Sequence, residues 1–112
     1  MKKIEAIIRE ERLPLVRAAL EEVGYPGITV SAVRGHGRQR GVTQQWRGRE
    51  FTVDLLPKVK LELIVADDAA QRTMQAIAEN ARTGAVGDGK IWASTIDTIM
   101  RVRTGEVGET AL

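Results

Sequence analysis

From Lys3 to Arg9 apolar and polar side chains alternate. Ile4, Ala6 and Ile8 share one side, and Lys3, Glu5, Ile7 and Arg9 share the other, which is the two-residue period of a half-buried strand. At Leu13 the period lengthens. Leu13, Val16, Leu20 and Val23 recur at helical spacing, Pro14 falls in a first turn where its missing N–H does no harm, and Gly24 stands where the helix would stop. Ile28 to Val33 predicts a second strand. Beyond the twenty-one residues from Arg34 to Asp54 the alternation returns, with Val59, Leu61, Leu63 and Val65 on one side and Lys58, Lys60, Glu62 and Ile64 on the other. Asp67-Asp68 offers a cap for a second helix that would bury Ala70, Met74, Ile77 and Ala81. Ile91 to Ile96 predicts the last main strand, and Arg101-Val102-Arg103 a short additional one.

The resulting order, β-α-β-β-α-β, is the ferredoxin-like arrangement of the α+β class. Both helices cover one face of a four-stranded antiparallel sheet. The 112 residues form a single domain. The uncovered face would carry Lys3, Glu5, Ile7, Thr29, Lys58, Lys60, Glu62, Ile64 and Trp92. This mixture is too apolar to leave in water and too charged for the core of a monomer. Closed cyclic assembly would bring such faces together and let one subunit complete the cleft of another.

Between the second and third strands, Arg34 to Asp54 has few apolar residues and many arginines. A connection of that length in a small domain is most often functional or disordered. Arg34, Arg38, Arg40, Arg47 and Arg49 fall within the seventeen residues from Arg34 to Glu50, opposed there only by Glu50, which suits an electrostatic docking arm; the plainer alternative is a solvated loop that protects a sheet edge. A net charge of +2 and 4% aromatic residues argue against nucleic acid as the target.

A chain of this size buries roughly two thirds of the surface its unfolded form exposes. With no cysteine it has neither disulfides nor thiolate metal sites, as suits a reducing cytoplasm. No apolar run approaches the roughly 18 residues of a membrane span, and Met1-Lys2-Lys3-Ile4 is strand-like without a signal-peptide core. A cytoplasmic protein without membrane insertion is expected.

Two glycine turns carry the candidate chemistry. Gly35-His36-Gly37 follows the second strand, and Thr83-Gly84-Ala85-Val86-Gly87-Asp88-Gly89-Lys90 leads into the fourth; exposed backbone N–H groups beside a lysine make an anion cradle. The topology puts strands one and three in the centre, so these turns are expected at opposite sheet edges, too far apart to share a small ligand within one subunit and able to meet only across a boundary. Lys90, Arg38, Arg101 and Arg103 could add charge-assisted bonds of about 1.5–3 kcal/mol each, and three or four of these suffice for micromolar binding at about −8 kcal/mol. No Lys-Ser or Lys-Thr helix start follows the second turn, so it is not a Walker motif. The single His36 has no partner at zinc spacing. Glu62 is either a base or a salt-bridge partner.

Four spaced motifs, Gly35-x-Gly37-Arg38-Gln39, Leu56-Pro57-Lys58-Val59-Lys60, Thr83-Gly84-x-x-Gly87-Asp88-Gly89-Lys90-Ile91 and Arg101-Val102-Arg103-Thr104-Gly105-Glu106, together resemble the PII nitrogen-regulatory signal-transduction family over essentially the whole chain. The resemblance implies a compact homotrimer with ATP/ADP clefts between subunits. It implies that Gly35, Gly37, Arg38, Gly87, Asp88, Gly89, Lys90, Arg101 and Arg103 hold phosphates and that Ile7, Thr29 and Ile64 line the adenine pocket. Gln39 would ligate a Mg²⁺ shared by ATP and 2-oxoglutarate, and Lys58, with Gly87, would hold the oxo acid. Residues 37–55 would form the family's T-loop, 82–90 its B-loop and 102–112 its C-terminal loop. The T-loop reaches partners such as ammonium transporters and other nitrogen-metabolism proteins, with Arg47 as the residue that enters the pore. Where many members carry a tyrosine that receives a nucleotidyl group, Trp46-Arg47-Gly48-Arg49-Glu50-Phe51 has Phe51, which has no hydroxyl, and Arg49 stands in place of a serine phosphorylated elsewhere. Trp46 and His36 also depart from the family pattern. Signalling would then rest on ligand occupancy without modification of the loop. The rival readings are a slow nucleotide hydrolase, with Glu62 or Lys58 assisting water, and an inert trimeric scaffold.

Overall fold

The computed structural model describes residues 1–37, 42–46, 49–53 and 55–112, with backbone only for 42–46 and 49–53. Alternation in the first residues produces β1 (Lys2–Ile8), followed by α1 (Leu13–Val23) and β2 (Thr29–Gly35). β3 (Val42–Trp46) and β4 (Arg49–Val53) come next, then β5 (Leu56–Val65), α2 (Ala70–Ala81) and β6 (Gly89–Thr95). The main sheet runs β2-β5-β1-β6 with every pair antiparallel. This is the expected ferredoxin-like order, with the first and third main strands central.

Ile4, Ala6 and Ile8 of β1 and Val59, Leu61, Leu63 and Val65 of β5 meet Val16 and Leu20 of α1 and Ile77 and Ala81 of α2 in one apolar core. α1 stops at Gly24, whose left-handed φ of 77° lets its N–H and that of Tyr25 both reach the Leu20 carbonyl. α2 is rotated slightly from the expected face. Thr73, Ile77 and Ala81 are its buried residues, while Ala70 and Met74 pack at the margin. Thr73 tolerates burial because its hydroxyl donates to the Ala69 carbonyl at 2.8 Å.

Three expectations are corrected. Asp67 and Asp68 do not cap α2 through their side chains: they lie in a 3₁₀ turn, Asp67–Ala69, ahead of it, and the Asp67 carboxylate pairs instead with the Met1 ammonium at 2.9 Å. The segment Arg34 to Asp54 is not simply a loop, since β2 continues to Gly35 and β3 pairs with β4 in a separate two-stranded sheet, Val42 opposite Val53 and Trp46 opposite Arg49. Arg101-Val102-Arg103 forms no strand; residues 102–104 turn, and Met100 and Val107 beside them pair through an isolated bridge.

The open face of the sheet carries a compact charge cluster. Lys3 lies 3.4 Å from Glu5 and 3.1 Å from Glu62, and Lys60 lies 3.2 Å from Glu5 and 3.9 Å from Glu62. Trp92 adds an indole N–H donated to Glu5 at 2.7 Å. Burial pushes the Glu5 carboxyl up, but Trp92, Lys60 and Lys3 outweigh it and hold the group below its ordinary value; bonding to Glu62 and the charge of Glu5 raise Lys3. Two cations and two anions neutralise each other where a core would reject any one of them alone.

Candidate functional site

The turn between α2 and β6 is built around one carboxylate. Asp88 accepts from the Thr83 N–H at 2.8 Å and the Gly84 N–H at 2.9 Å, and the Thr83 hydroxyl also donates to it. The Arg9 guanidinium donates from Nε to the same group at 3.0 Å and from Nη2 to the Val86 carbonyl at 2.8 Å. Burial opposes ionisation of Asp88, but the Thr83 hydroxyl foremost, with the two N–H groups and Arg9, holds it well below the usual carboxylate range. The described structure thus uses the Asp88 carboxylate to hold the turn.

On the sheet side, Lys58 is 8% exposed and its Nζ donates to the Gly87 carbonyl at 2.8 Å. Burial first, and the charge of Arg9 second, lower its pKa, against the opposing pull of Glu11 and Asp88. Gly89 is fixed by packing. A Cβ there would stand 1.8 Å from the Ile7 carbonyl oxygen, at a φ of +105°, so no other residue fits beside β1.

A cavity of about 430 Å³ lies between this turn and the end of β2. Gly35, His36 and Gly37 form one wall, Ala85 to Lys90 form the other, and Ile7, Lys58 and Trp92 lie between them. The expectation that the two glycine turns stand too far apart to meet within one subunit is therefore corrected. β2 and β6 are indeed sheet edges, but the 83–88 turn folds back over the central strands, drawn in by Arg9 from β1's end and Lys58 from β5.

Thr29 and Ile64 are elsewhere. With Lys3 and Glu62 they line a separate hollow of about 380 Å³, which Gly27, Ile99 and Leu112 also border. Of the three residues expected around adenine, Ile7 is thus apart from the other two in a single chain. Arg101 is engaged with the C-terminal segment: its guanidinium lies 3.2 Å from Glu106 and donates to the Thr110 and Leu112 carbonyls at 3.3 and 2.9 Å. Arg103 is exposed in the following turn. Arg38, Gln39 and Arg47 lie outside the described residues, as does the side chain of Phe51. Glu62, bonded to Lys3 and Lys60, behaves as a salt-bridge partner. In the sequence Arg9 is legible only as a polar strand residue; its reach to the turn follows from the pairing of Ile8 with Gly89, which exists only in the fold.

The family model described as nitrogen regulatory protein P-II matches residues 1–106. The chain belongs to the P-II family. Over 112 residues it is 51% identical to the nitrogen regulatory protein P-II of Rhizobium meliloti, covering all of both chains, and 52% identical to P-II 1 of Methanothermobacter thermautotrophicus, covering all of this chain and 97% of that one. The P-II protein of Azospirillum brasilense is 49% identical over the full length of both. As a P-II protein the chain is a nitrogen regulator by family, a class defined by regulation of nitrogen metabolism and not by a reaction. Among the described residues no helix is long and apolar enough to cross a membrane.

Proposed function

We propose that this P-II protein binds ATP or ADP in clefts formed between copies of itself, and 2-oxoglutarate together with Mg-ATP, and that the segment from Arg38 to Asp54 reports which ligand is present to nitrogen-metabolism partners such as an ammonium transporter. The observation that carries the proposal is the division of the expected ligand residues between two hollows. Ile7, Gly35, Gly37, Lys58 and Gly87 to Lys90 line one, and Thr29 and Ile64 line the other. Neither is a whole site. A second copy laid against the open face would supply the missing half, as a closed homotrimer does by resemblance.

The chemistry of the first hollow fits a polyanion. Lys90 and the backbone of residues 87–89 offer donors to phosphates, while Lys58 sits deep enough that burial disfavours its charge, so the far carboxylate of 2-oxoglutarate would restore it. An ammonium has three donors, so a carboxylate could join the bond to Gly87 without displacing it. Arg101 and Arg103 would add charge from the neighbouring copy. A Cβ on Gly35 or Gly37 would meet nothing within 4 Å, consistent with glycine serving a ligand there.

Magnesium prefers hard oxygen ligands. The carboxylate at the turn, Asp88, is already held by Thr83, Gly84 and Arg9, so the fitting donor set is the phosphates, the oxo acid and the Gln39 amide. Bound there, the ion would neutralise phosphate charge and link the two ligands. With no hydroxyl at Phe51, occupancy alone would set the state of the arm that carries Arg47, through a coupling of about 1–3 kcal/mol typical of such systems. The proposed site of action is the cytoplasm, including the inner face of a membrane when a transporter is the partner.

Calorimetry tests the reading directly. ATP and ADP should each bind, 2-oxoglutarate should bind only with Mg-ATP present, and light scattering should give three times the chain mass of 12.3 kDa. A folded monomer that ignores both nucleotides would overturn it. Turnover of several per second that Glu62→Gln abolishes would favour the hydrolase instead.

A further inference from the structure

Arg9 stands behind the glycine turn. It does not line the 430 Å³ cavity, yet it bonds to two points of the turn that does, the Asp88 carboxylate and the Val86 carbonyl. Lys58 takes the next carbonyl along, that of Gly87. A trans peptide is planar, with its N–H directed opposite its C=O. Anchoring the Val86 and Gly87 carbonyls on cations therefore turns the N–H groups of Gly87 and Asp88 the other way. Among the described residues neither of those N–H groups donates to a protein acceptor. Consecutive N–H groups left free in this way form an anion-binding concavity, and the positive φ of Gly87, 102°, gives the backbone the required bend.

We infer that Arg9 is a positioning residue for anion binding, which aims the Gly87 and Asp88 N–H groups at a nucleotide phosphate by holding Asp88 and the Val86 carbonyl without touching the phosphate. The inference rests on the nucleotide reading above. Arg suits the task better than Lys because its fork reaches two acceptors in fixed geometry, here a carboxylate and a carbonyl on adjoining parts of one turn.

The test is a double-mutant cycle on the intact protein, with ADP titrated calorimetrically into wild type, Arg9→Gln, Asp88→Asn, the double variant and Arg9→Lys. If Arg9 acts through Asp88, each single variant should lose about tenfold in ADP affinity and the double should be no more than about threefold weaker than the weaker single, because residues in one network are not additive. Arg9→Lys should recover part of the loss, and should serve in its place if Arg9→Gln does not fold. In the ligand-free protein the amide resonances of Gly87 and Asp88 should move in Arg9→Gln. Wild-type affinity in Arg9→Gln, unmoved amides, or losses that multiply in the double variant, as direct contact of Arg9 with phosphate would give, would each overturn the inference. Failure of wild type to bind ADP or ATP would instead overturn the nucleotide reading.

Discussion

Gly89 and Gly35 both border the cavity, but for different physical reasons. The first is required by β1, whose Ile7 carbonyl leaves no space for a Cβ; the second has open space around it. Gly89→Ala should therefore destabilise the fold by about 2 kcal/mol or more, seen as a lower urea midpoint. Gly35→Ala should leave stability within about 1 kcal/mol and weaken ADP binding. Asp88 gives a pH prediction. Its folded pKa is depressed, so its stabilisation is present above the unfolded value of about 3.9 and is lost as pH falls toward the folded value. The stability gap between wild type and Asp88→Asn in urea titrations should thus be constant from pH 8 to pH 5 and should shrink at pH 3. The family resemblance implies that Asp88 holds phosphate; the folded turn engages its carboxylate with Thr83, Gly84 and Arg9, a contact invisible in the sequence because Arg9 lies 79 positions away.

Periodicity located both helices and all four main strands, since each buries one face against a common core and the burial enforces the repeat. Within α1 the same logic separates two leucines. Leu20 is fully buried and Leu15 is 47% exposed, so Leu20→Ala should cost about 2–5 kcal/mol and Leu15→Ala less than about 1 kcal/mol in thermal or urea unfolding. The β3–β4 hairpin escaped the hydrophobic pattern. Six of its ten residues are polar or charged, so the segment lacks the run of apolar alternation from which a strand is read. The cap of α2 was misplaced for a related reason: Asp67 had a stronger partner in the Met1 ammonium, supplied by a strand that only folding brings alongside.

For the whole molecule, the decisive surface is the open face of the sheet. Its mixed composition pointed to assembly, and the structure arranges its charges as a neutral square of Lys3, Glu5, Lys60 and Glu62. Exposed pairs of this kind contribute little singly, about 0–1 kcal/mol, but an unbalanced charge trapped between subunits is costly. Lys60→Glu leaves one cation against three anions. Under the proposed assembly it should lower the light-scattering mass toward 12.3 kDa and abolish ADP binding at the same time. Retention of binding by a monomeric variant would place the whole site in one chain.

The sequence by itself determined the four main strands, the two helices and their order, and marked two glycine turns, because periodicity and backbone freedom are local properties that each residue carries wherever it is placed. It also held the family motifs. Only the tertiary structure decided which turns share a cavity, which carboxylate is already engaged and which expected ligand residues stand apart. Those outcomes depend on side chains such as Arg9 and Lys58 crossing from one strand to another segment's carbonyls, and such distances exist only after the chain has folded.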